Sequence, residues 1–343
     1  MKMRQLLSYS CFLVLMTILL FACGNSQEGQ APANLLPATG YPEIDKLSAK
    51  IAEDPGNADL YARRAGLFYE NEGYDEALQD LNKAISLDST NVVYRHELAN
   101  IYMDYNNSRM ALYTMEETAK LFPDRIPTLL KLSEFQLIFR QYQDALKTLE
   151  TIRQMDPLNA EMFYMAGLVF QELGKQDEAI SNFQSAVEND PDILEAWVNL
   201  GKLWSVKNPT TAIHFFDNAL RVDSTSLLAL HEKAYYLSNV LNDLDGALEV
   251  YDRLIVHHPR YIDGYYNSGL LLMDMDSLKG ANEKFSMALQ IDPAAIQAYY
   301  YRGLTFEMMG QANRAIADYE QVLKFNPEDE AAQAGMERLK GAN

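Results

Sequence analysis

Apolar and polar positions along this chain follow two periods at once, a short one that marks helices and a long one that marks a repeat. Between Ala160 and Ile193, the residues Phe163, Ala166, Gly167 and Phe170 fall at i, i+3, i+4 and i+7, the spacing of one buried helix face. Gly174 stops that stripe. A second stripe of Ala179, Ile180, Phe183, Ala186 and Val187 follows, closed by Asp190 and Pro191. The spacing predicts two helices folded against each other. The small residue of the second stripe recurs as Ala77, Ala111, Ala145, Ala179, Ala212, Ala247, Ala281 and Ala315, at intervals of 34, 34, 34, 33, 35, 34 and 34 residues. The small residue of the first stripe recurs as Ala65, Ala99, Ser133, Gly167, Gly201, Ala234, Gly269 and Gly303. Both sets are expected to lie where the paired backbones cross most closely. A period held this long is a stacked array, in which each unit buries itself on its neighbours.

In a 34-residue frame these small residues sit at offsets 8 and 20, with Phe163 at offset 4, Phe170 at offset 11 and Pro191 at offset 32. The pattern resembles the tetratricopeptide repeat family over residues 58–329. The resemblance implies an all-α, right-handed solenoid of stacked helix-turn-helix repeats. The frame divides the chain into eight repeats, 58–91, 92–125, 126–159, 160–193, 194–226, 227–261, 262–295 and 296–329. Residues 41–57 carry one further apolar stripe, Ile44, Leu47 and Ile51, and are expected to form an N-terminal capping helix; residues 330–343 are expected to form a C-terminal one. The fifth repeat is one residue short and the sixth one residue long, and both changes are placed in the turn between paired helices, which absorbs a residue without rotating an apolar face. Gln136, Arg95 and Arg302 stand where apolar residues are usual and put local packing in question.

Ahead of the repeats, Lys2 and Arg4 precede an apolar run from Leu6 to Ala22. This order reads as a secretory signal. Its end, Leu20-Phe21-Ala22-Cys23, resembles the bacterial lipobox, so residues 1–22 are expected to be cleaved and Cys23 to be lipidated. Several acyl chains, at about 0.8 kcal/mol per buried methylene, hold a protein on a bilayer stably. Residues 23–40, rich in Gly, Pro, Ala and polar residues, then read as a flexible tether of about 20–25 Å. The expected place is a bacterial cell envelope, at the outer membrane facing the periplasm. With Cys11 removed and Cys23 acylated, no disulfide is expected.

Charge and side-chain chemistry narrow the function further. The formal net charge is −19, or −21 once Lys2 and Arg4 are lost, so a polyanion such as nucleic acid is repelled. His96, His214, His231, His257 and His258 fall in no metal-binding spacing, and the acidic fragments at Asp243–Asp245 and Asp274–Asp276 lack the remaining ligands of a calcium loop. No phosphate loop or nucleophile motif is present in the sequence. Neither an enzyme, nor a cofactor, nor a metal site is expected. The tripeptides Asp88-Ser89-Thr90, Asp223-Ser224-Thr225 and Asp276-Ser277-Leu278 resemble the O-glycosylation acceptor of exported proteins in Bacteroidetes, but they are also ordinary turn sequences.

The family resemblance implies a concave groove lined by offsets 2, 5, 6, 9, 12 and 13 of the first helices. In this sequence those positions carry twelve acids (Asp59, Glu70, Glu97, Asp104, Glu134, Glu161, Glu172, Glu195, Glu232, Asp263, Asp274 and Glu307) against Arg63, Lys131 and Lys202. Tyr69, Tyr164, Tyr235, Tyr266, Tyr300 and Tyr301 are interleaved among them. The candidate partner-binding residues are therefore Tyr69, Glu97, Glu161, Tyr164, Glu195, Tyr235, Asp263, Tyr266, Tyr300 and Tyr301, facing a protein or peptide with basic and apolar side chains. The Lys/Asn clamp by which some relatives grip acidic chaperone tails is not matched, since Tyr164, Leu168, Leu228 and Glu232 occupy four of its five positions and only Asn199 survives. The expected function is an envelope scaffold or assembly factor; the alternative is a periplasmic chaperone or accessory factor for an envelope enzyme or secretion system.

Overall fold

A computed structural model describes residues 39–341, and every regular element among them is an α-helix. The expected signal segment, Cys23 and all but the last two residues of the tether lie outside the described residues. The chain divides into two compact units at Leu87 and Asp88.

The first unit holds α1 (Pro42–Glu53), α2 (Ala58–Glu70) and α3 (Tyr74–Leu87). Pro42 opens α1, a position that needs no backbone N–H, and Thr39 folds back so that its N–H and hydroxyl both donate to Asp45 Oδ1, at 2.9 and 3.0 Å. Ile44, Leu47 and Ile51 are the buried face of α1. One guanidinium pins the three helices together. Arg64 of α2 donates from Nε and Nη2 to Asp80 of α3, at 2.7 and 2.8 Å, and from Nη1 to Ser48 of α1, at 2.9 Å. Both charged residues are buried, so removing either partner would strand the other.

The second unit contains seven helix pairs and a closing helix. The pairs are α4 (Val92–Asp104) with α5 (Ser108–Leu121), α6 (Ile126–Ile138) with α7 (Tyr142–Met155), α8 (Ala160–Glu172) with α9 (Gln176–Asn189), and α10 (Leu194–Lys207) with α11 (Pro209–Val222). They continue as α12 (Leu227–Asn239) with α13 (Leu244–His257), α14 (Ile262–Asp274) with α15 (Leu278–Ile291), and α16 (Ile296–Met308) with α17 (Ala312–Phe325), before α18 (Glu330–Gly341).

The turns repeat as faithfully as the helices. A left-handed residue follows the first helix as Asn106, Arg140, Gly174, Asn242, Asp276 and Gly310, with φ between 55° and 71°. The short pair departs from this. There α10 runs on to Lys207, Asn208 is extended at φ −151°, and Pro209 opens α11 directly, so the missing residue is the left-handed one. The Tyr236 hydroxyl donates to the carbonyl of Pro209 and ties this abrupt turn to α12.

Small residues at offset 8 serve a more particular purpose than a close backbone crossing. A Cβ on Gly167 would stand 2.6 Å from the Phe183 ring; on Gly201, 2.7 Å from Phe216; on Gly269, 2.6 Å from Phe285. Glycine accompanies an aromatic ring in these pairs and in Gly303 with Tyr319, whereas Ala99 and Ser133 share their repeats with the slimmer Met115 and Leu149; Ala234, with Tyr251 at the same frame position, is the exception. The departures from apolar pattern are also accommodated. Gln136, 5% exposed, accepts from the Thr148 hydroxyl at 2.8 Å. Arg302 donates to both oxygens of Asp318, at 2.8 and 2.7 Å, and to Ser286 at 3.3 Å, the arrangement of Arg64, Asp80 and Ser48 over again. Arg95 is the exception, its Nε buried without a partner.

Within this unit α4 touches α6, α6 touches α8, α10 touches α12, α14 touches α16 and α16 touches α18, while successive second helices make no comparable contact. First helices therefore line the inner side of the stack. That side carries the candidate site.

Candidate functional site

Glu161 opens the first turn of α8 and Glu195 that of α10, where unsatisfied backbone N–H groups favour a carboxylate. Tyr164 lies one turn into α8, half-buried, with its ring 5.9 Å from Phe183. These three residues meet in a cleft of about 520 Å³ bounded by α6, α8, the α9–α10 linker and α10. Pro127, Leu130, Met165 and Ile193 give it apolar walls; Lys131, Glu134 and Asp192 complete its rim. Lys131 is bonded to Glu134 at 3.0 Å, and Glu161, Asp192 and Glu195 have no cationic partner among the described residues. Burial, and then the nearby Glu195 carboxylate, push the Tyr164 hydroxyl above its ordinary range, so it remains a neutral donor.

The tyrosines of the last repeats are placed differently. Tyr266 and Tyr301 pack edge to face at 5.7 Å, both against Phe285 at 6.0 and 5.8 Å, and Tyr300 meets Tyr301 at 5.1 Å and Tyr319 at 6.0 Å. All three candidates here are half-buried in a continuous aromatic stack. Burial, with Tyr301 beside it, holds the Tyr266 hydroxyl well above the usual phenol range. Asp263 stays exposed at the start of α14 and, after burial, is the next influence that pushes Tyr261 up to about 12.

The acid wall read from the sequence is thus partly neutralised. Glu232 is held by Lys202 at 2.9 Å. Glu307 receives two bonds from Arg338 of α18, at 2.7 and 2.9 Å, and a third from the Tyr319 hydroxyl at 2.6 Å, and Arg338 foremost draws its carboxyl below the usual range. Tyr235, 53% exposed, lies apart from both groups in a cleft of about 500 Å³ with Asn239, Asn242, Asn267 and Asp274. Glu97 is exposed on α4, and Tyr69, 36% exposed, belongs to the first unit, where its ring stands 6.0 Å from Tyr74.

Asp192 and Ile193 were not among the sequence candidates, because they come from the linker between pairs and only first-helix offsets were considered. Asn239 and Asn267 stand at inner offsets 13 and 6 but carry neither the charge nor the ring that marked the candidates, and Asn242 lies beyond the end of α12. The Asp-Xaa-Thr tripeptides form tight turns, with Asp88 Oδ1 accepting from Thr90 N–H and hydroxyl at 3.0 and 2.7 Å, and Asp223 Oδ1 from Thr225 at 2.8 Å each. Asp243 caps α13 through Gly246 N–H, and His258 bonds the Thr225 carbonyl. Among the described residues no group of three or more His, Cys, Asp or Glu is placed to hold a metal, and no helix is long and apolar enough to cross a membrane.

Tetratricopeptide repeats are recognised by family models at residues 139–192, 164–226 and 296–329. The chain is similar to anaphase-promoting complex subunit 7 of Dictyostelium discoideum, 22% identical over 222 residues, 64% of this chain and 38% of that protein. It is also similar to the peroxisomal targeting signal receptor of Pichia angusta, 24% identical over 176 residues, 49% of this chain and 31% of that one. It therefore spans well under half of the length of either relative. Among solved structures, the APC/C hetero-tetramer Cut9–Hcn1 matches with a TM-score of 0.49 at 15% identity, covering 86% of this chain and 62% of that chain.

Proposed function

We propose that this chain is a non-catalytic scaffold that holds a segment of another protein against the inner, first-helix side of its repeats, from a lipid anchor in a bacterial cell envelope. The observation that carries the binding reading is the cleft between α6, α8 and α10, where apolar walls and Tyr164 adjoin carboxylates that form no salt bridge among the described residues. Rigid aromatic area beside unpaired charge is the composition of a docking site: the ring supplies contact at low entropic cost and the charge selects the partner. The names of the similar proteins describe a subunit of a complex and a receptor, which accords with an interaction role. Anchoring rests on the sequence alone, on Leu20-Phe21-Ala22-Cys23 following a charged start and an apolar core. The proposed place of the anchor is the outer membrane, with the repeats facing the periplasm.

The test is crosslinking in intact cells followed by affinity capture and mass spectrometry. A stoichiometric partner, crosslinked through first helices, is the expected outcome; transient capture of many unfolded clients would replace the scaffold with a chaperone. Metabolic labelling with a fatty acid should mark the wild-type chain and fail on Cys23→Ser. Label retained in that variant would overturn the anchor.

A further inference from the structure

We infer that the cleft between α6, α8 and α10 is a socket for one long basic side chain, lysine or arginine, presented by an extended, otherwise apolar segment of a partner protein. This rests on the scaffold reading and specifies its ligand. A basic side chain is an apolar stem with a charge at its tip, and it is most stable where the stem lies on hydrocarbon and the tip meets carboxylate. The cleft offers those two surfaces in that order: Leu130, Met165 and Ile193 along its wall, then Glu161, Asp192 and Glu195 at its edge. At about 520 Å³ it falls within the ~300–1,000 Å³ of ordinary binding clefts. The one resident cation, Lys131, is engaged with Glu134 at 3.0 Å and does not discharge the other three carboxylates.

A second observation gives the segment a direction. Toward the C-terminal ends of α6 and α8 a smaller cleft of about 310 Å³ contains Arg140 and Gln171, and the Gln171 side-chain oxygen is buried with no hydrogen-bond partner. Gln171 as a whole is half-buried, and a turn of its side chain into the cleft presents that oxygen to a backbone N–H of a visiting strand. Arg140 and Glu172 line the same cleft with opposite charges. The partner segment therefore places its basic residue over the N-terminal turns of α8 and α10 and runs along α6 and α8 toward the Gln171 oxygen.

The experiment uses the mature chain and two matched arrays of synthetic peptides, one with a single lysine among apolar residues, the other with that lysine acetylated. Acetylation keeps the stem and removes the charge. The lysine array should retain the chain on the order of tenfold better, the effect of about 1.4 kcal/mol. The double variant Glu161→Gln, Glu195→Gln, checked for unchanged circular dichroism, should lose that preference, while Glu188→Gln, exposed on the second helix α9, keeps it. Equal retention on both arrays, or a preference untouched by the double variant, overturns the inference. A photo-crosslinker at Leu130 separates this result from the scaffold reading. If the cellular partner crosslinks at Asn267 but not at Leu130, the socket is wrong and the scaffold stands; crosslinks only at Glu188 on the outer side refute both.

Discussion

Tyr164 and Tyr266 occupy the same place in their repeats, the fifth residue of a first helix, yet one forms the wall of an open cleft and the other is locked in a stack of rings. The cause lies one repeat further on. Opposite Tyr266 the next first helix carries Tyr301, which closes over it at 5.7 Å. Opposite Tyr164 the corresponding residue is Asn199, whose amide turns onto its own helix and donates to the Glu195 carbonyl at 2.9 Å. An aromatic in that place extends the core to the surface; an amide leaves a gap with charged edges. Identical repeat positions thus do different work, and the neighbouring repeat decides which.

The largest effect should come from removing the ring on which the closed region leans. Phe285→Ala is expected to destabilise by about 3–5 kcal/mol, seen by hydrogen exchange first in α14 to α17 and only weakly in α6. Uniform loss of protection along the whole unit would mean that the stacked region is not a local core. Next in size is overpacking beneath the open cleft. Gly167→Ala sets a Cβ 2.6 Å from the Phe183 ring and Ala179→Leu fills a site of 0% exposure, so each should cost about 1–3 kcal/mol in chemical denaturation. An unchanged midpoint in both would place the α8–α9 contact elsewhere.

The two tyrosines themselves should then separate binding from stability. Tyr164→Ala is expected to weaken partner binding by up to about 2 kcal/mol with little change in unfolding, and Tyr266→Ala to do the reverse. Asn199→Tyr should convert the open region toward the closed one, abolishing capture while shifting stability by only about 0.5 kcal/mol, since the position is on the surface. The smallest effect concerns pH. His96 on α4 bonds Thr128 on α6 at 3.2 Å, and burial first, then Arg125 and Lys131, depress its affinity for a proton. Because the unfolded chain takes up that proton near the ordinary value of about 6.5, stability should fall as pH drops through the window just below it and level off once the folded group is also protonated. His96→Gln should flatten this slope; an unaltered slope would assign it to other groups.

The hairpin array was legible because offset-8 and offset-20 residues are dictated by helix pairing alone. Gly167 and Ala179 announce the contact whatever surrounds them. Glu161, Tyr164 and Glu195 were legible as inner-side residues for the same reason, whereas their gathering into one cleft depends on Asn199 and on linker residues Asp192 and Ile193. The capture of Glu307 by Arg338 could not be read, since α18 stands outside the repeat frame. The buried Arg64–Asp80 and Arg302–Asp318 pairs had a signal that went unused: arginine at offset 7 and aspartate at offset 23 each occur in the same two repeats and no others. Ser48 and Ser286 precede them at one fixed distance of 16 residues.

The central claim, that a partner docks on the inner first-helix side at α6, α8 and α10, is tested most directly by charge reversal with a matched control. Retention of the captured partner would be measured for Glu161→Lys with Glu195→Lys, and for Glu188→Lys with Glu249→Lys on exposed outer positions of second helices. The inner pair should release the partner, with association slowed and less dependent on salt, while the outer pair retains it. Full retention by the inner pair and loss by the outer one would contradict the claim and move the site to the second helices.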